Sequence, residues 1–281
     1  MMTKLLIIDG HNLLFQMFYG MPSRIINADG KAIQGTLGFV GALLKIIRMT
    51  NPTYVVALFD GEHENDRAEL NSEYKLNRID YSQVADEDSL FSQLDDVYSS
   101  LDFLNIKHTE ITEFETDDVI ASYVLRYQNQ AEIIISSFDS DFFQLIGDSV
   151  SVLCYRGDKT VICDKNYIKQ KYDISPDRYA DFKSLTGDAS DNIKGADKIG
   201  PKTAATLINQ FGYLEDIIKN ADRIAKPSIR DSVIRNTERL RTNYKLIKLT
   251  DRAETPFNMD EMAWQYDSIT TVEVLKGIEL R

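Results

Sequence analysis

Three short apolar runs in this chain stop on aspartate: KLLIID at Asp9, YVVALFD at Asp60, and EIIISSFDSD at Asp139 and Asp141. Helical patterns lie between them, in TLGFVGALLKIIRM (36–49) and TDDVIASYVL (116–125). Strands that alternate with helices predict an α/β fold with a mostly parallel sheet flanked by helices. Such sheets bind ligands beyond the carboxyl ends of their strands, where these aspartates fall.

A fourth piece, FETDDVIASYV, adds acids to the same edge. Thr116 can cap a helix whose first turn holds Asp117 and Asp118, a position the helix dipole favours for anions. Taken singly, each aspartate reads as a turn residue or a cap. Together, Asp9, Asp60, Glu115, Asp117, Asp118, Asp139 and Asp141 would crowd one sheet edge, repel one another and take up protons. Oxygen-bound divalent cations remove that cost, and a carboxylate set without His or Cys favours Mg²⁺ or Mn²⁺ over zinc. Two such ions about 4 Å apart form a common apparatus for in-line phosphodiester cleavage.

A second stretch, LTGDASDNIKGADKIGPKTAATLI (185–208), sets Asp188 and Asp191 against a glycine-punctuated turn with Lys194, Lys198 and Lys202. Gly195, Gly200, Lys202 and Thr203 nearly spell a nucleotide-binding P-loop, but Pro201 intrudes and no strand pattern precedes them. Charge bears on partners: 32 basic residues against 44 acidic give −12, which argues against nucleic acid unless the acids hold cations. Cys154 and Cys163 flank the turn YRGDKT and are expected to be packed free thiols. No apolar run reaches the roughly 20 residues of a membrane helix, and MMTKLLIIDG reads as a strand, so a cytoplasmic protein is expected.

In order, DG after the first strand, FDG after the second, ETDDVI, SFDSDFFQL and LTGDASDN resemble the motifs of the 5′-nuclease (flap endonuclease) family. This family includes the 5′→3′ exonuclease domain at the front of bacterial DNA polymerase I and its free-standing relatives. The resemblance runs from about residue 4 to about 250. It implies metal ligands at Asp9, Asp60, Glu115, Asp117, Asp118, Asp139, Asp141, Asp188 and Asp191, with Asp9, Asp60, Asp117, Asp118 and Lys75 carrying catalysis. It implies two Mg²⁺ ions that Mn²⁺ replaces, and K⁺ on carbonyls near Leu185, Thr186, Lys194, Ala196 and Ile199. GADKIGPKTA resembles a helix–hairpin–helix, whose backbone N–H groups grip duplex phosphate without reading sequence.

The resemblance further implies an arch at about 62–88. There Arg67, Asn71, Tyr74, Lys75 and Arg78 share one helical face, basic with an aromatic for a base to stack on. With Lys198, Gly200, Lys202 and Thr203, Arg67, Tyr74, Lys75 and Arg78 make the expected DNA contacts. Residues 219–252 hold ten bases against four acids, with Arg235 and Arg239 one helical turn apart as a candidate basic flank or a solvated face. Four positions depart from the family pattern: Gln16 for arginine, Asp66 for an aromatic, Phe138 for glycine and Lys198 for glycine. The expected organisation is a nuclease core over 1–172 and a helical region over 173–281. The expected substrate is 5′-flapped, nicked or branched DNA, cut by a monomer serving replication or repair beside a DNA polymerase. A PIN-like ribonuclease and a non-catalytic DNA-structure-binding protein are the alternatives.

Overall fold

The runs that end on aspartate lie side by side in one sheet. The computed structural model describes residues 3–61, 74, 89–265 and 268–280. Strands β1 (Lys4–Asp9), β2 (Tyr54–Asp60), β3 (Lys107–Ile111), β4 (Glu132–Ser136) and β5 (Val150–Cys154) are parallel, and β6 (Val161–Cys163) runs antiparallel at one edge. The order is β3-β2-β1-β4-β5-β6. From β1 the chain builds outward to β2 and β3, then returns to place β4 on the other side of β1. That reversal leaves a crevice beyond the carboxyl ends of β1 and β4.

Both faces of the sheet are covered, which is why its strands read as unbroken apolar runs. On one face Leu5, Ile7, Val56, Leu58, Ile133 and Ile135 join a core that includes Val119, Ile120 and Tyr123 of helix α4. On the other, Leu6, Ile8, Val55, Ala57 and Ile134 meet Leu14, Phe39, Leu43 and Val97 from α1, α2 and α3. These helices span Gly10–Gly20, Gln34–Thr50, Leu94–Phe103 and, for α4, Thr116–Tyr127. Helix α1 follows β1 without a loop, and only glycine fits at its first residue. A Cβ on Gly10 would lie 2.4 Å from the Phe59 ring.

After β6 the chain is almost wholly helical: α5 (Lys165–Tyr172), α6 (Tyr179–Thr186), α7 (Pro201–Phe211), α8 (Leu214–Lys219), α9 (Pro227–Arg235), α10 (Thr237–Ile247) and α11 (Thr271–Gly277). Between α6 and α7 lies a two-stranded ribbon, β7 (Gly187–Asp188) with β8 (Ile193–Lys194). The chain leaving α10 is stitched to the sheet layer by buried polar groups. Gln144 donates to Ile247 O at 3.0 Å and accepts from Leu249 N at 3.0 Å, while Asp118 accepts from Thr250 N at 2.8 Å. Ser122 accepts from Ala253 N, and the Tyr123 hydroxyl bonds both backbone groups of Phe257. One apolar core therefore runs from β1 to Met262.

Two local expectations change. Glu115, not Thr116, is the N-cap of α4, and it makes no side-chain cap bond; Thr116 is the first helical residue. Arg235 and Arg239 do not share a helix, because Asn236 breaks the chain between α9 and α10. The cysteines behave as expected: both thiols are free, across the β5–β6 pair, with Sγ atoms 3.9 Å apart. Among the described residues, no helix is long and apolar enough to cross a membrane.

The ribbon is built too tightly for a side chain at Gly195. A Cβ there would lie 2.3 Å from the Thr186 carbonyl carbon and 2.6 Å from Gly187 N, both backbone atoms. Gly195→Ala is therefore expected to cost about 1–3 kcal/mol by overpacking. Gly147→Ala, whose Cβ would meet nothing nearer than 4.0 Å, is the control. Equal melting temperatures for the two variants would contradict the packing described.

Candidate metal centre

The carboxyl edge of the sheet is organised by short polar links between neighbouring strand ends. Asp9 closes β1 and caps α1, accepting from Asn12 N at 3.2 Å. Its second oxygen accepts from the Ser137 hydroxyl at 2.7 Å. Ser137 in turn accepts from Asp139 N at 2.9 Å, and Asp139 caps the next 3₁₀ turn by accepting from Asp141 N at 2.8 Å. Asn12 also accepts from Phe138 N at 3.0 Å. Thus Asp9, Asp139 and Asp141 are held in one chain of contacts, with Ser137 as the joint.

Asp60, at the end of β2, is exposed, and its backbone N–H donates to His11 Nδ1 at 2.8 Å. That bond makes the His11 ring neutral, with its proton on Nε2, and burial lowers its pKa in the same sense. Glu115 and Asp117 are half-buried at the start of α4; Asp118 is buried, one of its oxygens on Thr250 N.

Among the described residues, the acids whose ligand atoms all lie within 4.8 Å of one another are Asp141, Asp188 and Asp191. A buried lysine sits inside this trio. Lys183 of α6 bonds Asp141 Oδ1 at 2.5 Å, Asp188 Oδ2, and Ser140 Oγ at 3.3 Å. Burial works against the Lys183 charge, but Asp141 and Asp188 outweigh it and raise its pKa. Burial pushes Asp141 up while the ammonium pulls it back. At Asp188 the ammonium prevails over burial and the pKa falls. The residues fit a divalent cation: the donors are all oxygen, anionic and convergent, the set that hard cations take.

The structure places the remaining expected residues as follows. Arg67, Lys75, Arg78 and Asp66, and with them the arch, lie outside the described residues. Tyr74 is described, and it is buried, packed with Ala180, Ile193, Leu246 and Ile247. So placed, its ring faces an apolar cluster rather than a base. Lys198 is exposed at φ 65°, so the turn keeps the left-handed conformation that glycine adopts freely and lysine enters at a cost. Gly200 caps α7, and Lys202 and Thr203 lie in its first turn, Lys202 exposed.

Around this hairpin several carbonyls already accept protein donors. Leu185 O accepts from Ala196 N at 2.9 Å, Ala196 O from Ile199 N at 3.2 Å, and Lys194 O from Asn243 at 3.0 Å. Arg239 turns inward and donates to Gly195 O at 3.0 Å, so it braces the hairpin. Gln16, in place of arginine, donates to Tyr155 O at 2.5 Å, and the Phe138 ring is covered by Arg156 at 4.9 Å. Sequence reasoning missed Ser137, His11 and Lys183. Ser137 stands inside a quoted motif, but a buried lysine five residues before Asp188 carries no signal apart from the fold.

The family model "5'-3' exonuclease, N-terminal resolvase-like domain" matches residues 4–173, and "5'-3' exonuclease, C-terminal SAM fold" matches 174–269. The chain belongs to the 5′-3′ exonuclease family. It is similar to the thermostable DNA polymerase I of Thermus aquaticus, 31% identical over 258 residues, and to the DNA polymerase I of Mycobacterium bovis, 30% over 272 residues. The matches take in 92% and 94% of this chain but 29% of each relative. In fold it resembles the T5 D15 protein co-crystallised with metal ions, with a TM-score of 0.71 and 23% identity over 87% of this chain and 89% of that one. It also resembles the catalytic core of Rad2 in complex with DNA substrate, with a TM-score of 0.62 and 15% identity over 99% and 85%.

In the metal-free protein the Asp9 carboxyl is pushed up to about 7, first by burial and then by Asp60, against hydrogen bonds from Ser137 and Asn12. The folded state then keeps a proton that the unfolded chain gives up near the ordinary aspartate value of 3.8. Stability from this group is thus lost as pH rises between those values. His11, held neutral, acts in the opposite sense, so the comparison that isolates Asp9 is with Asp9→Asn. In EDTA the variant is expected to melt above wild type at pH 7.5 and to lose that advantage toward pH 5. Saturating Mg²⁺ is expected to reverse the order at pH 7.5. Parallel melting curves across this range would contradict the crowding at Asp9.

Proposed function

We propose that this chain is a Mg²⁺-dependent 5′-nuclease that hydrolyses phosphodiester bonds in flapped, nicked or branched DNA, both from a 5′ end and at a flap junction. The observation that carries the proposal is the run of acids across the crevice: Asp9, linked through Ser137 to Asp139 and Asp141, and continued by Asp188 and Asp191. Bound divalent ions would supply a Lewis acid, an activated water and neutralisation of phosphate charge. Asp9, Asp60, Glu115, Asp117 and Asp118 form the first ligand group; Asp141, Asp188 and Asp191 form the second, with Asp139 between them. Mn²⁺ substitutes for Mg²⁺ in an all-oxygen site, and K⁺ is assigned to the hairpin turn at residues 185–199.

The chain's own residues fix where the cut falls. The first turn of α7 presents backbone N–H groups and the Lys202 ammonium, a combination suited to a duplex phosphate and blind to sequence. The ribbon that carries Asp188 leads directly into that turn, so the distance from duplex grip to carboxylates is set by covalent structure. Arg239 and Asn243 hold the hairpin backbone against α10 and keep that distance short and stiff. Residues 1–172 supply the first ligand group with Asp139 and Asp141 in this reading, and 173–281 supply the grip together with Asp188 and Asp191; Lys75, Arg67 and Arg78 steer the single strand. A monomer acting in the cytoplasm, in replication or repair beside a DNA polymerase, fits this division.

A 5′-labelled flap and a matching RNA, each with and without Mg²⁺, test the reading. Cleavage of the DNA alone, and only with Mg²⁺ or Mn²⁺, is the expected result. Asp117→Asn is expected to abolish cleavage and leave flap binding nearly intact. Wild-type turnover in that variant would return the acids to helix capping. Lys202→Ala is expected to weaken duplex binding and reduce its log-log salt slope by about 0.9, one counterion's worth. The position of the cut should not change; an unchanged slope would place Lys202 on the solvated surface.

A further inference from the structure

We infer that the Lys183 ammonium is the resident cation of the second carboxylate group, and that a divalent ion entering this group must displace it. The inference rests on the nuclease reading and concerns a residue that reading does not use. An ammonium carries three donors and no acceptor. Here Asp141, Asp188 and the Ser140 hydroxyl take all three. The side chain is 7% exposed and its two carboxylate partners 11% each, so the contact is largely shielded from bulk water.

Position makes the competition specific. Asp141, Asp188 and Asp191 offer oxygens within 4.8 Å of one another, close to the span of about 4.2 Å that two opposed Mg²⁺–oxygen bonds of about 2.1 Å cover. The Lys183 nitrogen contacts Asp141 Oδ1 and Asp188 Oδ2 at once, from the space between those two oxygens. Two cations cannot share that space in a half-dry site. Neither carboxylate has much freedom to offer its oxygens elsewhere. The Asp141 backbone is tied to the Asp139 side chain, and Asp188 Oδ1 accepts from both backbone and hydroxyl of Ser190.

Lysine, by contrast, has a flexible four-carbon stem and can withdraw. Asp9 differs, because its direct partners are a hydroxyl and a backbone N–H rather than an ammonium. The two groups should therefore differ in metal affinity for a stated reason. The second pays for its ion by expelling Lys183. The metal-free protein, for its part, keeps the second group closed and partly neutralised while the first awaits its ion.

Direct Mn²⁺ binding tests this, measured by titration calorimetry and by the paramagnetic resonance of free Mn²⁺. Wild type, Lys183→Met and Lys183→Gln are compared in the full chain without DNA. Wild type is expected to show one tighter and one weaker ion. Both variants are expected to tighten the weaker ion at least tenfold and leave the tighter one unchanged. Without metal they should melt below wild type, since they leave Asp141 and Asp188 unbalanced, and Mn²⁺ should restore more stability to them than to wild type. Glutamine keeps hydrogen-bond donors where methionine has none, so a folded protein without the charge remains testable if methionine fails to fold. A weaker ion that is unchanged or loosened in the variants overturns the inference and leaves the nuclease reading standing. Wild type that binds no Mn²⁺ at all overturns both.

Discussion

Repulsion among carboxylates gathered at the ends of β1, β2 and β4 is the constraint to which the rest of the structure answers. Burial makes it worse, because Asp9 and Asp141 lie where water cannot screen them. The protein answers with three kinds of partner. Hydroxyl and backbone N–H groups bond Asp9, Asp139 and Asp188; the backbone of Thr250 bonds Asp118; and the Lys183 ammonium bonds Asp141 and Asp188. Among the described residues, the three acids whose oxygens all lie within 4.8 Å of one another have an ammonium on two of them.

Those partners come from distant parts of the chain, and this explains why the helical half packs so firmly on the sheet. Lys183 belongs to α6, and Asp188 follows it on the ribbon; Asp141 belongs to the 3₁₀ turn after β4. The segment 247–257 crosses back to Gln144, Asp118, Ser122 and Tyr123, tying α10 to the start of α4. The proposed grip and the carboxylates are thereby mounted on one apolar core, as the nuclease reading requires. The carboxyl edge of a parallel sheet supplies the crevice, and the strand reversal at β1 and β4 supplies its place.

Much of this was legible in the sequence because it is written locally. Apolar runs ending on aspartate became β1 and β2, and the 36–49 helix became α2 with two residues added before and one after. The nine acids were readable as residue types at motif positions. What was not readable depends on tertiary contact. Thr116 looked like a cap, but Glu115 takes the cap position. Arg239 looked like a solvent-facing base until Gly195 O claimed it. Tyr74 lay on a basic helical face by spacing, yet is buried beside Ile193 and Leu246. Lys183 sits in a run, YADFKSLT, whose pattern gives no reason to bury a charge; only the carboxylates brought to it by the fold do so.

The central claim is that the acids at the sheet edge exist to hold cations. The most direct measurement is anomalous diffraction at the manganese edge from crystals of the protein grown with Mn²⁺. The account predicts two peaks about 4 Å apart beyond the ends of β1 and β4. One should lie among Asp9, Asp60, Glu115, Asp117 and Asp118, and the other against Asp141, Asp188 and Asp191, with the Lys183 side chain turned out of the second group. Density for a protein with no peak at this edge, in crystals of a preparation that still cleaves a flap in metal-free buffer, would contradict it.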